Sequence, residues 1–234
     1  WNRGAYLSEG LAHCGACHTP RNVLGAESRG LPYDGAVIKD GWIAWPLDVS
    51  PSPARWTKDS FIAYLKGETT ENHGRALGPM GPVIHGLKAL PGEDIAAIAD
   101  YFMSFNRPLR PKADALAQQA LERSRTIGQD RRERGRQLYV GACASCHDDG
   151  GTAPLATRAR LPLTTALWHD RPNNFVLTVR NGVGAPGDAS GPPMPPFAAS
   201  LSDSEIVAIA DYLRHTRLGL PKWPAELYDE IASP

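Results

Sequence analysis

The chain has 234 residues, of which 42% are hydrophobic and 21% charged; this suits one or two globular domains and argues against disorder. Its 25 basic and 25 acidic residues cancel to a formal net charge of zero, which argues against nucleic acid or an anionic membrane surface as the main partner. No apolar run reaches the ~18 residues that a membrane-spanning helix requires.

Glycine (23) and proline (21) are plentiful, and strand-like runs are few. Short helices joined by long irregular loops are therefore expected. Such a chain buries little apolar surface, so a large bound cofactor would help to complete each core. The chain opens on Trp1 rather than Met, and the expectation is that a signal peptide, or a longer segment, stands upstream.

The first predicted element is a helix entered through Arg3-Gly4 and leading to Cys14-Gly-Ala-Cys17-His18. C-x-x-C-H is the attachment signature of a c-type haem. Two thiols one helical turn apart can add to the two vinyl groups of one haem, and the adjoining His is carried beneath the macrocycle to ligate iron. A thioredoxin-like pair would sit beside a βαβ pattern, which is missing here. A zinc ribbon sets its knuckles roughly 15–20 residues apart, whereas Cys17 and Cys143 lie far further apart. A disulfide turn would leave the two histidines unexplained.

Trp42, Trp45 and Trp56 follow, and are expected either to line a first haem pocket or simply to fill core. Met80 lies in the short Gly78-Pro-Met-Gly81 loop and is the expected sixth ligand, with His73 and His85 as its rivals. A closing helix begins after Pro91-Gly-Glu-Asp94, with Ile95, Ile98, Ala99 and Phe102 on one face. Met103 lies inside that helix and is expected to be packing or surface.

Residues 108–133 read as a linker. Pro111 biases Arg110 away from helix, and residues 113–125 are rich in helix formers, giving an expected surface helix. The pattern then repeats. Arg134-Gly135 leads to Cys143-Ala-Ser-Cys146-His147, and Ile206-Val-Ala-Ile-Ala-Asp-Tyr212 matches Ile95-Ala-Ala-Ile-Ala-Asp-Tyr101 at six of seven positions. Ser202-Asp-Ser-Glu205 supplies an N-cap and an acidic first turn. Between them Met194 sits in Gly191-Pro-Pro-Met-Pro-Pro-Phe197, an extended loop stiffened by proline. It is the expected second sixth ligand, with His169 as its rival.

Helix, C-x-x-C-H, long loop, Met, helix is the order of a class I cytochrome c fold. The expected architecture is mainly α: two tandem domains of this kind, residues 1–107 and 134–234, with long irregular loops. The expected cofactors are two covalently bound haem c groups, one held by Cys14, Cys17, His18 and Met80, the other by Cys143, Cys146, His147 and Met194. A soft thioether as sixth ligand raises the reduction potential relative to a second histidine and closes the iron to peroxide. Haem is joined to this motif outside the bacterial cytoplasmic membrane, so a periplasmic location is expected, with any membrane association arising through partners. All four thiols are consumed by thioethers, and no disulfide is expected.

Gly4-Ala-Tyr-Leu-Ser-Glu-Gly-Leu-Ala-His-Cys-Gly-Ala-Cys-His-Thr-Pro-Arg-Asn22 resembles the second haem motif of the cytochrome c subunits of bacterial membrane-associated dehydrogenases, which serve alcohol, gluconate, sugar and aldehyde dehydrogenases and some molybdenum hydroxylases. Gly41-Trp-Ile-Ala-Trp-Pro-Leu47, Tyr64-Leu-Lys-Gly67 and Gly78-Pro-Met-Gly-Pro-Val83 continue the resemblance in order. Pro193-Met-Pro-Pro-Phe-Ala198 and Leu201-Ser-Asp-Ser-Glu-Ile206 resemble the third haem domain of that family. The resemblance implies an electron-transfer subunit that is not itself an enzyme. Its partners would be a catalytic subunit of flavin, quinoprotein or molybdenum type and an acceptor such as quinone, an oxidase or a small cytochrome. Two departures stand out. Relatives commonly carry a further C-x-x-C-H domain ahead of this one, and their hydrophobic C-terminal anchor is not evident in Leu218 to Pro234. A free-standing soluble dihaem shuttle and a dihaem peroxidase or thiosulfate dehydrogenase remain as alternatives.

Overall fold

The computed structural model describes residues 1–47, 50–105, 113–125, 132–148, 160–184 and 194–232. The protein is mainly helical. Among the described residues the sheet content is a single antiparallel ribbon, β1 (Ala36–Val37) with β2 (Ile43–Ala44), in the register Ala36↔Ala44 and Val37↔Ile43. No described helix is long and apolar enough to cross a membrane. The chain divides into two compact units. One comprises Trp1–Pro51, Arg55–Glu68 and Arg75–Ala113; the other comprises Ser52–Ala54, Thr69–Gly74 and Asp114–Pro234.

In the first unit, α1 (Asn2–Ala5) runs into a π-helical turn over Tyr6–Leu11, α2 (Gly15–His18) carries the first cysteine motif, and α3 (Lys58–Leu65), α4 (Met80–Leu87) and α5 (Gly92–Met103) follow. Thr57 starts α3 with a capping box to Ser60, a device that contributes about 1 kcal/mol. The periodicity of α5 places Ile95, Ile98, Ala99 and Phe102 in the core as expected, joined by Leu7, Tyr33, Phe61, Leu65, Ile84 and Tyr101. Met103 packs at the edge of the same cluster.

Helices α1 and α5 cross at very close range. A Cβ on Gly4 would stand 1.9 Å from the Ala97 carbonyl oxygen, so only glycine allows the two backbones to meet there. Pro91 offers α5 no side-chain cap. Asp94, in its first turn, instead accepts two 2.8 Å hydrogen bonds from the Arg3 guanidinium, which ties the start of α5 to α1.

The second unit is built the same way. It holds α6 (Ala113–Arg125, assigned to it from Asp114 on), α7 (Arg134–Ala142), α8 (Ala144–His147), α9 (Thr165–Trp168), α10 (Asn173–Asn181), α11 (Asp203–Asp211) with a π-helical turn over Tyr212–Arg217, and α12 (Glu226–Ala232). A Cβ on Gly135 would stand 2.0 Å from the Ala208 carbonyl oxygen. Arg134 pairs with Glu205 at 2.5 Å, and Ser202 is the expected N-cap, closing a capping box with Glu205. Ile206, Ile209, Ala210 and Leu213 are buried with Tyr139, Leu167 and Tyr212.

Two segments are less exposed than the sequence suggests. Helix α6 is not a bare surface linker, because Ala120 and Ser124 are buried and Ala117 and Leu121 pack on the second core. Its Glu122, Arg123 and Arg125 do face solvent. The C-terminal segment folds back on the same core. Trp223 is buried, donates from Nε1 to the His169 carbonyl at 3.0 Å, and lies 4.1 Å from the Arg214 guanidinium. The Pro111 stop and the Gly191–Pro193 part of the methionine loop lie outside the described residues.

Candidate haem sites

Each cysteine motif is one tight helical turn. The His18 amide donates to the Cys14 carbonyl at 3.0 Å and the His147 amide to the Cys143 carbonyl at 2.9 Å. Residues three apart on such a turn are neighbours on its surface, so the two cysteines of each pair lie close together with the histidine one residue on. None of the four cysteines is in a disulfide, and among the described residues no cluster of three or more His, Cys, Asp or Glu is placed to hold a bare metal ion.

Within each pair the two thiols differ. Cys14 and Cys143 are half-buried and pack on their respective cores, whereas Cys17 and Cys146 are exposed. Burial pushes the Cys14 and Cys143 thiols up to about 11, because an apolar surrounding disfavours thiolate. Both cysteines thus lie against apolar core.

The two motifs are reached differently. The stretch from Gly4 to Cys14 is two residues longer than that from Gly135 to Cys143. The first half absorbs the excess by widening its helix into a π turn, with the Cys14 amide donating to the Ser8 carbonyl at 2.9 Å. His13, just ahead of Cys14, takes a positive φ of 36°. The helix crossing and the cysteine turn thus both occur in each half despite the difference in length.

His18 is held at both ends. Its Nδ1 lies 2.7 Å from the Trp45 carbonyl, and its own carbonyl accepts from the Gly35 amide at 2.8 Å. Burial lowers the imidazole pKa, with the Trp45 bond acting in the opposite sense. In its neutral form, a ring that donates Nδ1–H to a carbonyl presents a free Nε2, the state in which histidine ligates a metal. This donor set fits haem: two thiols on one turn, and an imidazole whose second nitrogen is already engaged.

The methionines fall on the same cores. Met80 is the first residue of α4 and packs on the cluster that holds Cys14. Met194 packs on the cluster that holds Cys143, in a loop laid along the end of α10, where the Val183 amide donates to its carbonyl at 2.8 Å. Among the rivals, His85 is exposed on α4. His73 falls in the 69–74 segment that groups with the second unit. The His169 Nδ1 accepts from the Arg171 amide at 3.0 Å. Trp56 packs edge-on against Phe61 and Tyr64 in the first core, Trp45 contributes its carbonyl, and Trp42 lies on Gly78.

Several supporting groups have no signature in the sequence. The Trp45 carbonyl belongs to the main chain. Asp148, directly after His147, is held by the Tyr139 hydroxyl at 2.7 Å and by the buried Arg217 at 2.7 Å. Glu9 accepts from both Tyr33, at 2.8 Å, and Tyr101. Burial and the Glu9 carboxylate together push the Tyr101 phenol up to about 12.

The family model for cytochrome c oxidase, cbb3-type, subunit III matches residues 130–213. Over most of its length the chain is similar to three bacterial proteins. It is 39% identical to a nicotinate dehydrogenase subunit of Pseudomonas putida, covering 92% of this chain and 18% of that protein. It is 34% identical to the fructose dehydrogenase cytochrome subunit of Gluconobacter japonicus (91% and 48%) and 31% identical to the gluconate 2-dehydrogenase cytochrome c subunit of Pantoea cypripedii (91% and 51%). The chain thus spans about half the length of the latter two and under a fifth of the first.

Proposed function

We propose that this chain, a homologue of the cytochrome c subunits of bacterial dehydrogenases, is a dihaem electron carrier. It takes single electrons from a catalytic dehydrogenase subunit and hands them to a respiratory acceptor. The observation that carries the reading is the pairing within each core: Cys14 with Met80, and Cys143 with Met194. Haem c, when bound, supplies a one-electron iron couple. The chain's own residues do the rest. Cys14, Cys17, Cys143 and Cys146 would hold the macrocycles covalently, and His18, His147, Met80 and Met194 would serve as the iron ligands. The two apolar clusters exclude water, and no substrate bond is made or broken on this chain.

The donor is a flavin, quinoprotein or molybdenum subunit, and quinone, an oxidase or a small cytochrome is the acceptor. The location is the periplasm, where C-x-x-C-H haem is installed. A thioether on each iron disfavours a dihaem peroxidase, which needs an open position. The test is reduction of the purified dihaem protein by a candidate dehydrogenase and its substrate. Reduction of both haems through that partner, with slow reaction of the isolated chain toward peroxide and none toward alcohols, aldehydes or thiosulfate, supports the carrier role. Turnover by the isolated chain would overturn it.

A further inference from the structure

One short strand touches both axial-ligand loops of the first unit. Strand β2, Ile43–Ala44, is buried and paired to β1. At its far end the Trp45 carbonyl holds the His18 ring at 2.7 Å. At its near end the Trp42 indole lies flat on Gly78, two residues before Met80. A Cβ on Gly78 would stand 2.5 Å from Trp42 Cε2, 2.7 Å from Cδ2 and 2.8 Å from Cζ2. Gly78 also has a φ of +51°, a left-handed conformation that favours glycine. It is doubly required, by its backbone angle and by the indole pressed against it. From Gly78 the chain turns tightly into α4, with the Gly81 amide donating to the Gly78 carbonyl at 3.0 Å and the Met80 amide to the Leu77 carbonyl at 3.2 Å. The indole is therefore the wall on which the methionine turn rests.

We propose that Trp42 is a positioning residue for the sixth ligand of the first haem. This rests on the reading of Met80 and His18 as ligands. A thioether binds ferric iron weakly, so a turn that loses its wall spends more time with Met80 detached. The apparent affinity of an added ligand rises with that detached fraction. The ribbon is anchored independently, through the Gly35 amide on the His18 carbonyl at 2.8 Å, so removing the indole should loosen Met80 and leave His18 in place. A large flat aromatic face is what the contact requires, and phenylalanine should replace most of it.

The experiment uses the full dihaem protein with Met194→Ala, so that only the first haem contributes the weak absorption band of a ferric iron–thioether bond. Added Trp42→Ala should retain both covalent haems, reduce that band, and tighten imidazole binding at the first haem by about tenfold. Trp42→Phe should restore most of the band. Gly78→Ala, which attacks the same contact from the opposite side, should act as Trp42→Ala does. An unchanged band and unchanged imidazole affinity in Trp42→Ala and Gly78→Ala would overturn the positioning role. A band that survives Met80→Ala in the same background would overturn the ligand assignment, and the positioning role with it.

Discussion

Gly135 meets Ala208 so closely that a Cβ would stand 2.0 Å from its carbonyl oxygen, with the Tyr212 Cβ 2.9 Å away; Gly4 meets Ala97 at 1.9 Å, with the Tyr101 Cβ also at 2.9 Å. The same crossing occurs in both halves, and it sets the frame on which each cysteine turn is hung. Alanine at either position must force the helices apart. Gly135→Ala should cost about 1–3 kcal/mol in the second unit, in the range of other overpacked core sites. Because each unit has its own core, domain-resolved thermal unfolding should show a lowered transition for the second haem domain and an unaltered one for the first. Gly4→Ala should do the reverse.

The two crossings are also tied by charge. The Arg3 guanidinium holds the Asp94 carboxyl below its ordinary range. Glu205 is held low by the Ser202 backbone amide first, then by the Ser202 hydroxyl and by Arg134. A carboxylate depressed in the folded state stabilises fully above its unfolded pKa, about 4. That contribution is lost as pH falls through the lower folded value. Acid unfolding of the parent should therefore steepen below pH ~4. Arg3→Gln should flatten this dependence in the first unit, as followed by circular dichroism. An identical acid profile in parent and variant would contradict the assignment.

Much of this was legible in the residues. The helical turn at each cysteine motif was, since C-x-x-C-H is short enough to close as a single turn. The faces of α5 and α11 were too, because burial follows the helical period. What could not be read are contacts made by the main chain or by the absence of a side chain. Gly4 and Gly135 show up as parts of a repeat, but the backbone approach behind them leaves no periodic trace. The acceptor for His18 is a carbonyl, which every residue carries. Arg214, opposite Met103 in the repeat, is buried because Trp223 and three carbonyls gather around its guanidinium, and two of those carbonyls, of Leu167 and His169, are distant in sequence. The ribbon at 36–44 is too short to show an alternating pattern.

The methionines can be separated by spectroscopy. Met194→Ala should remove roughly half of the ferric thioether band, open that site to cyanide, and lower one of the two potentials, since axial ligation moves haem potentials over about 0.8 V. Met103→Leu should change none of these, as Met103 packs at the core edge. Loss of the band on Met103→Leu, with Met80→Leu silent, would mean that the two repeats are misaligned.

The covalent dihaem assignment can be tested by the intact mass of the denatured protein. The account predicts polypeptide plus two haems, falling to polypeptide plus one when Cys143 and Cys146 are both replaced by alanine, with the remaining haem mapped to Cys14 and Cys17. Haem released by acid and organic solvent from the parent protein, leaving bare polypeptide or polypeptide plus one haem, would contradict it.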